Sequence, residues 1–572
     1  MGYGESGYLP MTVPVRKQEK AFGVWEWLTL AAYAVVAGVG VHLHQSWAGE
    51  AQDWLTARDT TLSGLFARLH YEGAPAAWHL PLWALAHLGF SYNAVHWLCA
   101  GIATAGMAVW LRHSPMPRYL KLVFPFTFYA AYQYAVLVSG YVLFPVLVFT
   151  ACGLIGSMDV RGHRRPRPVL LAVVLGLLAN VSLYGWLCAV GLAAIYCERC
   201  WRMDSVLLRG GRYKGRCWLG VGVFAALLAV AAVTAWPAKD VAFVASMKQL
   251  PSVQTMLNVQ APMINNGGGR QTAWFTMERA APGEQPPAGF EWQQNLWRST
   301  RLGTGAQHPF RTRKMLYALS LLLYPLSSFS VLAYLVVAAL IYRCTWHRFK
   351  TSLLPYALMF AAMLTVFCTE RIAGLLMIVI MATAWVSWTH RLPLRRTPRW
   401  MEILLRASLA TVLLVQAGWT GHALWSEAHH AYSGDRMAAE YLQQRAQGKR
   451  VAGFYALAAG PELYFDHKIY FNQPTSYWSF SQDQRMNLSK EQVLAARPDF
   501  VVLGTRGYLQ DVVLNQAATI MDTSGNWPGD LQHIGGYFEA HGYRETHRFC
   551  GETPMREGYN NKLCQVILEP VE

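Results

Sequence analysis

Long apolar runs separated by short basic or polar segments dominate the first 420 residues. The first run begins near Val24, after Arg16, Lys17 and Lys20, and extends to about residue 43. It lacks a small-residue cleavage site, so it reads as a spanning helix and not as a cleavable signal. Further runs cover about 93–111, 119–134, 142–157, 169–197 (two runs), 218–236, 315–342, 351–369, 372–389 and 403–420. A spanning helix needs about 20 apolar residues, or somewhat fewer where the bilayer thins. The pattern predicts about eleven crossings. The shorter run 79–91 is expected to dip into the outer leaflet, and residues 44–78 and 237–314 form outer loops.

Charge orients this pattern. Basic clusters fall at Arg112–Lys121, Arg161–Arg167, Arg199–Arg216, Arg343–Lys350 and Arg391–Arg399. Short loops rich in Lys and Arg stay on the cytoplasmic side. The N-terminal tail, residues 1–23, is therefore cytoplasmic, and residues 421–572 lie outside. The formal net charge of +16 would suggest nucleic acid in a soluble protein. Here the basic residues act as topology determinants and no nucleic-acid partner is expected. Hydrophobic residues make up 53% and charged residues 14%, which excludes an ordinary soluble chain. The excursions at 119–157 and 169–197 turn near Tyr134–Tyr141 and Asn180–Gly185. Such tight turns are expected to line a cavity at the outer face, because irregular backbone at that depth must be covered by protein or water.

Beyond residue 420 the composition becomes that of a soluble domain. A helix over 434–447, strands at Val451–Tyr455, Lys468–Asn472 and Asp499–Gly504, a helical Lys490–Arg497 and a helix near 508–520 predict a small α/β domain. Of ten cysteines, only Cys550 and Cys564 lie in this outer part, so they could form a disulfide. Cys197-Glu-Arg-Cys200 has no second pair and does not suggest zinc or redox chemistry. Asn487-Leu-Ser489 is a chance-level glycosylation pattern.

The first outer loop concentrates the candidate chemistry. It reads Trp47-Ala-Gly-Glu50-Ala-Gln-Asp53-Trp-Leu-Thr-Ala-Arg58-Asp59, then His70-Tyr-Glu72-Gly-Ala-Pro75-Ala-Ala-Trp78-His79. An acid here could deprotonate a hydroxyl held against a lipid-borne substrate. An acidic motif after the first helix, followed by Glu72-Gly-x-Pro75-x-x-Trp78, resembles the GT-C superfamily of integral-membrane glycosyltransferases. The similarity is greatest to the bacterial protein mannosyltransferase and aminoarabinose transferase branch. It is local to about residues 40–110 and architectural elsewhere.

This resemblance implies inverting transfer of a sugar from a polyprenyl-phosphate donor to a glycan, lipid or protein acceptor. The setting would be the outer face of a bacterial cytoplasmic membrane, with the C-terminal domain periplasmic. The family's acidic pair is replaced by Gly49-Glu50, so either Glu50 or Asp53 takes the role of base, or the chain has lost that chemistry. Asp59, Glu72 and His79 are further candidates for substrate contact. The next outer turn holds no acid, but Tyr132, Tyr134, Ser139 and Tyr141 could hydrogen-bond a sugar. A divalent cation, Mg or Mn, is a candidate cofactor, although one turn supplies no carboxylate for it. Among cations for the phosphate, Arg371 stands at an outer turn next to Glu370, and Arg270 adjoins the run Asn265-Asn-Gly-Gly-Gly269; Lys239 and Lys248 lie in the same long loop. A noncatalytic scaffold in envelope polysaccharide assembly and a transporter or flippase-like protein are the alternatives. The transporter fits less well, because apart from Glu26 the predicted helices carry almost no ionisable residues.

Overall fold

The computed structural model describes residues 22–72, 74–157, 167–202, 211–236, 326, 330–346, 350–365, 370–389, 398–454, 456–476, 488–506, 534–555 and 559–571. Outside that set lie the loop 237–314 with Arg270, Lys239 and Lys248, the expected helix at 508–520, Asn487 and Cys368.

The protein is mostly helical. The described helices are α1 (Val24–Leu43), α2 (Ala48–Arg58), α3 (Leu62–Glu72), α4 (Ala76–His87), α5 (Asn93–His113), α6 (Arg118–Val123), α7 (Leu143–Gly156), α8 (Pro168–Ala179), α9 (Leu183–Arg202) and α10 (Gly211–Thr234). Then follow α11 (Ser330–Trp346), α12 (Leu354–Thr365), α13 (Glu370–Thr389), α14 (Arg399–His429), α15 (Asp435–Arg445), α16 (Ala459–Glu462), α17 (Lys490–Ala495) and α18 (Ile534–Ala540). Among the described residues, four stretches are long and apolar enough to cross a membrane: α1, α5, Gly215–Thr234 within α10, and α14. Several such helices point to a multi-pass membrane protein. Other apolar helices, such as α8 with 12 residues, are shorter than a bilayer's usual demand of about 20.

The run 119–134 differs from the single helix its apolarity predicts. It breaks after α6 into a 3-10 turn at Phe124–Phe126, an extended Thr127 and a π-helical turn at Phe128–Gln133. Pro125 removes one backbone donor and ends the α-helical ladder. The exposed carbonyls find side-chain donors: Tyr33 Oη donates to Ala130 O at 2.7 Å, and Thr420 Oγ1 to Phe126 O at 2.8 Å. Irregular backbone is tolerated at this depth only where such partners exist.

The helix α14 also differs. Apolarity ends it at residue 420, but it runs on to His429. At 1.5 Å per residue its 31 residues span about 46 Å, well beyond a hydrocarbon core of about 30 Å. Its last turns thus extend beyond an apolar span and carry Glu427 toward the C-terminal domain.

The C-terminal domain, expected from the charge pattern to lie outside and hereafter the outer domain, is a small four-stranded mixed sheet with helices. Strands β1 (Val451–Phe454), β2 (Phe500–Arg506), β3 (Tyr543–Met555) and β4 (Tyr559–Pro570) lie in the order β1-β2-β4-β3. The first pair is parallel and the other two are antiparallel. Val501 and Leu503 enter one apolar cluster, while Phe500 and Val502 enter another. Both faces of β2 are covered, which is why its sequence is a continuous apolar run and not an alternation. The expected strand at Lys468–Asn472 is reduced to an isolated bridge between Val451 and Tyr470. Ser489 starts α17 with a reciprocal capping box to Gln492. Cys550 and Cys564 face each other across β3 and β4 and form a disulfide.

Candidate functional site at the outer membrane face

Residues 48–58, read from sequence as loop, form the helix α2. Its composition of Ala, Glu, Gln, Leu and Arg favours helix. Its N-cap is Trp47, which offers no side-chain oxygen. The Ala48 N–H instead donates to Asp435 Oδ2 at 2.9 Å, 387 positions away in the outer domain. An orphan donor at the helix start is thereby satisfied from another part of the chain.

Glu50, in the first turn of α2, is buried. Its Oε1 accepts from the Val138 N–H at 2.7 Å, and both carboxylate oxygens lie 3.3 Å from His44 Nε2. The opposite ring nitrogen, His44 Nδ1, is 2.7 Å from Glu427 Oε1, which also accepts from Tyr132 Oη at 2.6 Å. Both imidazole nitrogens thus face carboxylates. A neutral ring can donate through only one nitrogen, so this geometry calls for the imidazolium. Burial alone would lower the His44 pKa, but Glu427 and Glu50 outweigh it and hold it up at about 10. Burial pushes Glu50 upward, but the attraction of His44 wins and its pKa lies below the usual value. Tyr432 closes over the His44 ring at 4.6 Å, and Ser46 and His96 are hydrogen-bonded alongside at 2.9 Å.

The outer turn following Gln133 does not line an open cavity as its sequence predicts. Residues 134–139 are buried. The Val138 peptide is bracketed: its N–H donates to Glu50, and its carbonyl accepts from Arg371 Nη1 at 3.4 Å. Tyr134 Oη donates to the Arg371 carbonyl at 2.7 Å. Tyr134 therefore ties the turn to the start of α13. Tyr141 is half-buried and packs against the helical core.

Arg371 is the site's prominent cation. Its guanidinium lies 5.4 Å from the centre of the Trp47 ring, and its Nη2 is buried with no hydrogen-bond partner among the described residues. Asp53 sits one helical turn beyond Glu50 and differs from it in access. Its side chain retains 30% exposure, whereas that of Glu50 retains none. Trp78 Nε1 donates to Asp53 Oδ2 at 3.1 Å, and His79 Nε2 lies 3.5 Å from Asp53 Oδ1.

The structure thus gathers Glu50, Arg371 and Tyr134 around one turn, and Asp53 with His79 on the neighbouring face of α2. Asp59 stands apart: it pairs with Arg58 at 2.6 Å and with Ser476 of the outer domain. Glu72 ends α3. His44, Glu427 and Asp435 escaped the sequence reading. For His44 the one available signal was its position at the end of the first apolar run. Among the described residues no group of three or more His, Cys, Asp or Glu is placed to hold a metal ion. The carboxylates of Glu50 and Glu427 already have the His44 ring between them. This donor set does not fit the Mg or Mn ion that the resemblance suggests.

Compared with known proteins, the chain matches no family model, no curated protein and no solved structure.

Proposed function

We propose that this protein is a membrane-embedded glycosyltransferase that moves a sugar from a polyprenyl-phosphate donor to a glycan, lipid or protein acceptor. It would act at the outer face of a bacterial cytoplasmic membrane, with about eleven crossings, a cytoplasmic N-terminus and a periplasmic C-terminal domain. The observation that carries this reading is Arg371. A buried guanidinium nitrogen without an acceptor is costly, and a phosphate oxygen would supply one. That nitrogen lies beside an acid-bearing helix at the end of an apolar bundle, where a lipid phosphate would arrive.

In this reading Asp53 is the base, because it is reachable, and Glu50 anchors the turn. The acceptor O–H gives its proton to Asp53 as its oxygen bonds the anomeric carbon. The bond from that carbon to the phosphate oxygen breaks, and polyprenyl phosphate leaves with the electron pair. Arg371 stabilises the charge that develops there. Trp78 and His79 fix the orientation of the Asp53 carboxylate.

A noncatalytic scaffold in envelope polysaccharide assembly is the second reading. The complete burial of Glu50 within a closed ion network favours it. The discriminating experiment is transfer from radiolabelled polyprenyl-phosphate sugars by purified protein in lipid. Asp53→Asn should lower turnover by roughly 10²–10⁴-fold, the usual worth of a general base. Arg371→Gln should weaken donor binding and turnover together. Donor binding without turnover by any variant would sink the enzyme and leave the scaffold.

A further inference from the structure

The acid-bearing helix α2 belongs by sequence to the membrane part, yet the start of that helix is completed by the outer domain. Asp435 is the first residue of α15 and is buried. Its Oδ2 takes the Ala48 N–H at 2.9 Å, and its Oδ1 takes Gln565 Nε2 from β4 at 2.5 Å. Gln565 is itself held by the Leu457 carbonyl at 2.7 Å. The carboxylate is seated against Gly460 so closely that any Cβ there would collide with it. Three further ties join the same two bodies. Tyr464 Oη donates to the Ser46 carbonyl at 2.9 Å, Arg58 Nη1 donates to the Phe465 carbonyl at 2.7 Å, and Ser476 bonds Asp59. These contacts bracket α2 at both ends, and Glu50 and Asp53 lie between them.

We propose that Asp435 is a positioning residue of the site: by capping α2 from the outer domain it sets where Asp53 and Glu50 stand, which makes that domain a working part of the site. The helix has no cap of its own, so loss of this carboxylate frays the turn that carries Glu50 and displaces Asp53, one turn on. A glycine at 460 is required because the carboxylate must approach the α16 backbone. The catalytic consequence rests on the transferase reading, whereas the capping itself does not.

The test uses the full-length protein in lipid and compares Asp435→Ala, Asp435→Asn and Gly460→Ala with the unaltered chain. Hydrogen exchange of the 48–58 peptide is read beside that of 93–113 and 500–506. The cap's worth predicts roughly tenfold faster exchange of α2 in Asp435→Ala, with the other two peptides within about twofold. Gly460→Ala should reproduce the effect while keeping the acid, and Asp435→Asn should fall between. If the protein transfers sugar, kcat should fall with little change in donor KM, because Arg371 is untouched. Unchanged exchange in α2 overturns the proposal, whatever the activity. Equal acceleration in 500–506 also overturns it, since Asp435 would then serve only the domain's own fold. Absent turnover with selective release of α2 would instead defeat the transferase reading and leave the cap standing.

Discussion

Replacing His44 with Ala tests the buried ion network most directly. The imidazolium stands between Glu427 Oε1 at 2.7 Å and the Glu50 carboxylate at 3.3 Å, with all three side chains shielded from solvent. Removing it leaves two carboxylates facing each other across a void. Breaking a buried pair by deleting one partner costs roughly 3–5 kcal/mol. Each carboxylate keeps one donor, Tyr132 Oη for Glu427 and the Val138 N–H for Glu50, so the lower end applies, about 3 kcal/mol. The pH dependence tests the same pairing: Glu427 and Glu50 hold the His44 pKa above its ordinary value of 6.5. A raised pKa contributes stability that is fully present below pH 6.5 and is lost as pH climbs through about 10. The difference in unfolding free energy between the unaltered chain and His44→Ala, measured in mixed micelles, should therefore shrink across that window. Adding Glu427→Gln to His44→Ala should recover part of the loss, because it removes one of the two stranded charges. A cost below about 1 kcal/mol, or no recovery in the double variant, would refute the reasoning.

Two predictions concern the outer domain. Burial pushes the Glu462 pKa from 4.5 up to about 8, against the Ile469 and Tyr470 N–H groups that bond it. The domain should therefore lose stability as pH rises from 4.5 through about 8. Glu462→Gln should flatten that decline in hydrogen exchange of the 451–454 strand, and an unchanged slope would count against it. The Cys550–Cys564 disulfide closes a separation of 14 residues. Loss of both cysteines to Ser should cost about 3 kcal/mol and speed proteolysis of the β3–β4 hairpin, with the helices α1 and α5 unaffected.

The sequence made the spanning architecture legible where one cause dominates. The apolar runs of α1 and α5 end at polar residues, and the buried run of β2 shows as unbroken apolar sequence. Elsewhere the cause is remote. The helix α2 looks like a loop because its start is capped by Asp435, far along the chain. The helix α14 outruns its apolar stretch because its last turns pack against the outer domain instead of lipid, which hides Glu427 from any hydropathy reading. The turn after Gln133 looks open by sequence but is sealed by Glu50 and Arg371 on the two sides of one peptide. The β3–β4 hairpin was marked only by its two cysteines, because charged residues interrupt its alternation.

These misreadings share a cause that bears on function. Those in the helical part each involve a polar group whose partner lies in another element. Glu50 meets His44 at the end of α1, His44 meets Glu427 at the end of α14, and Ala48 meets Asp435 at the start of α15. In apolar surroundings an unpaired charge is expensive, so the four segments hold one another in place through these few contacts. Moving the outer domain away from α2 would remove the partner of Ala48 and unseat α15 at the end of α14. The shielding of Glu427 and Glu50 would change with it. The outer domain and the acid-bearing helix are therefore tied by direct contacts, and the position of Asp53 depends on both.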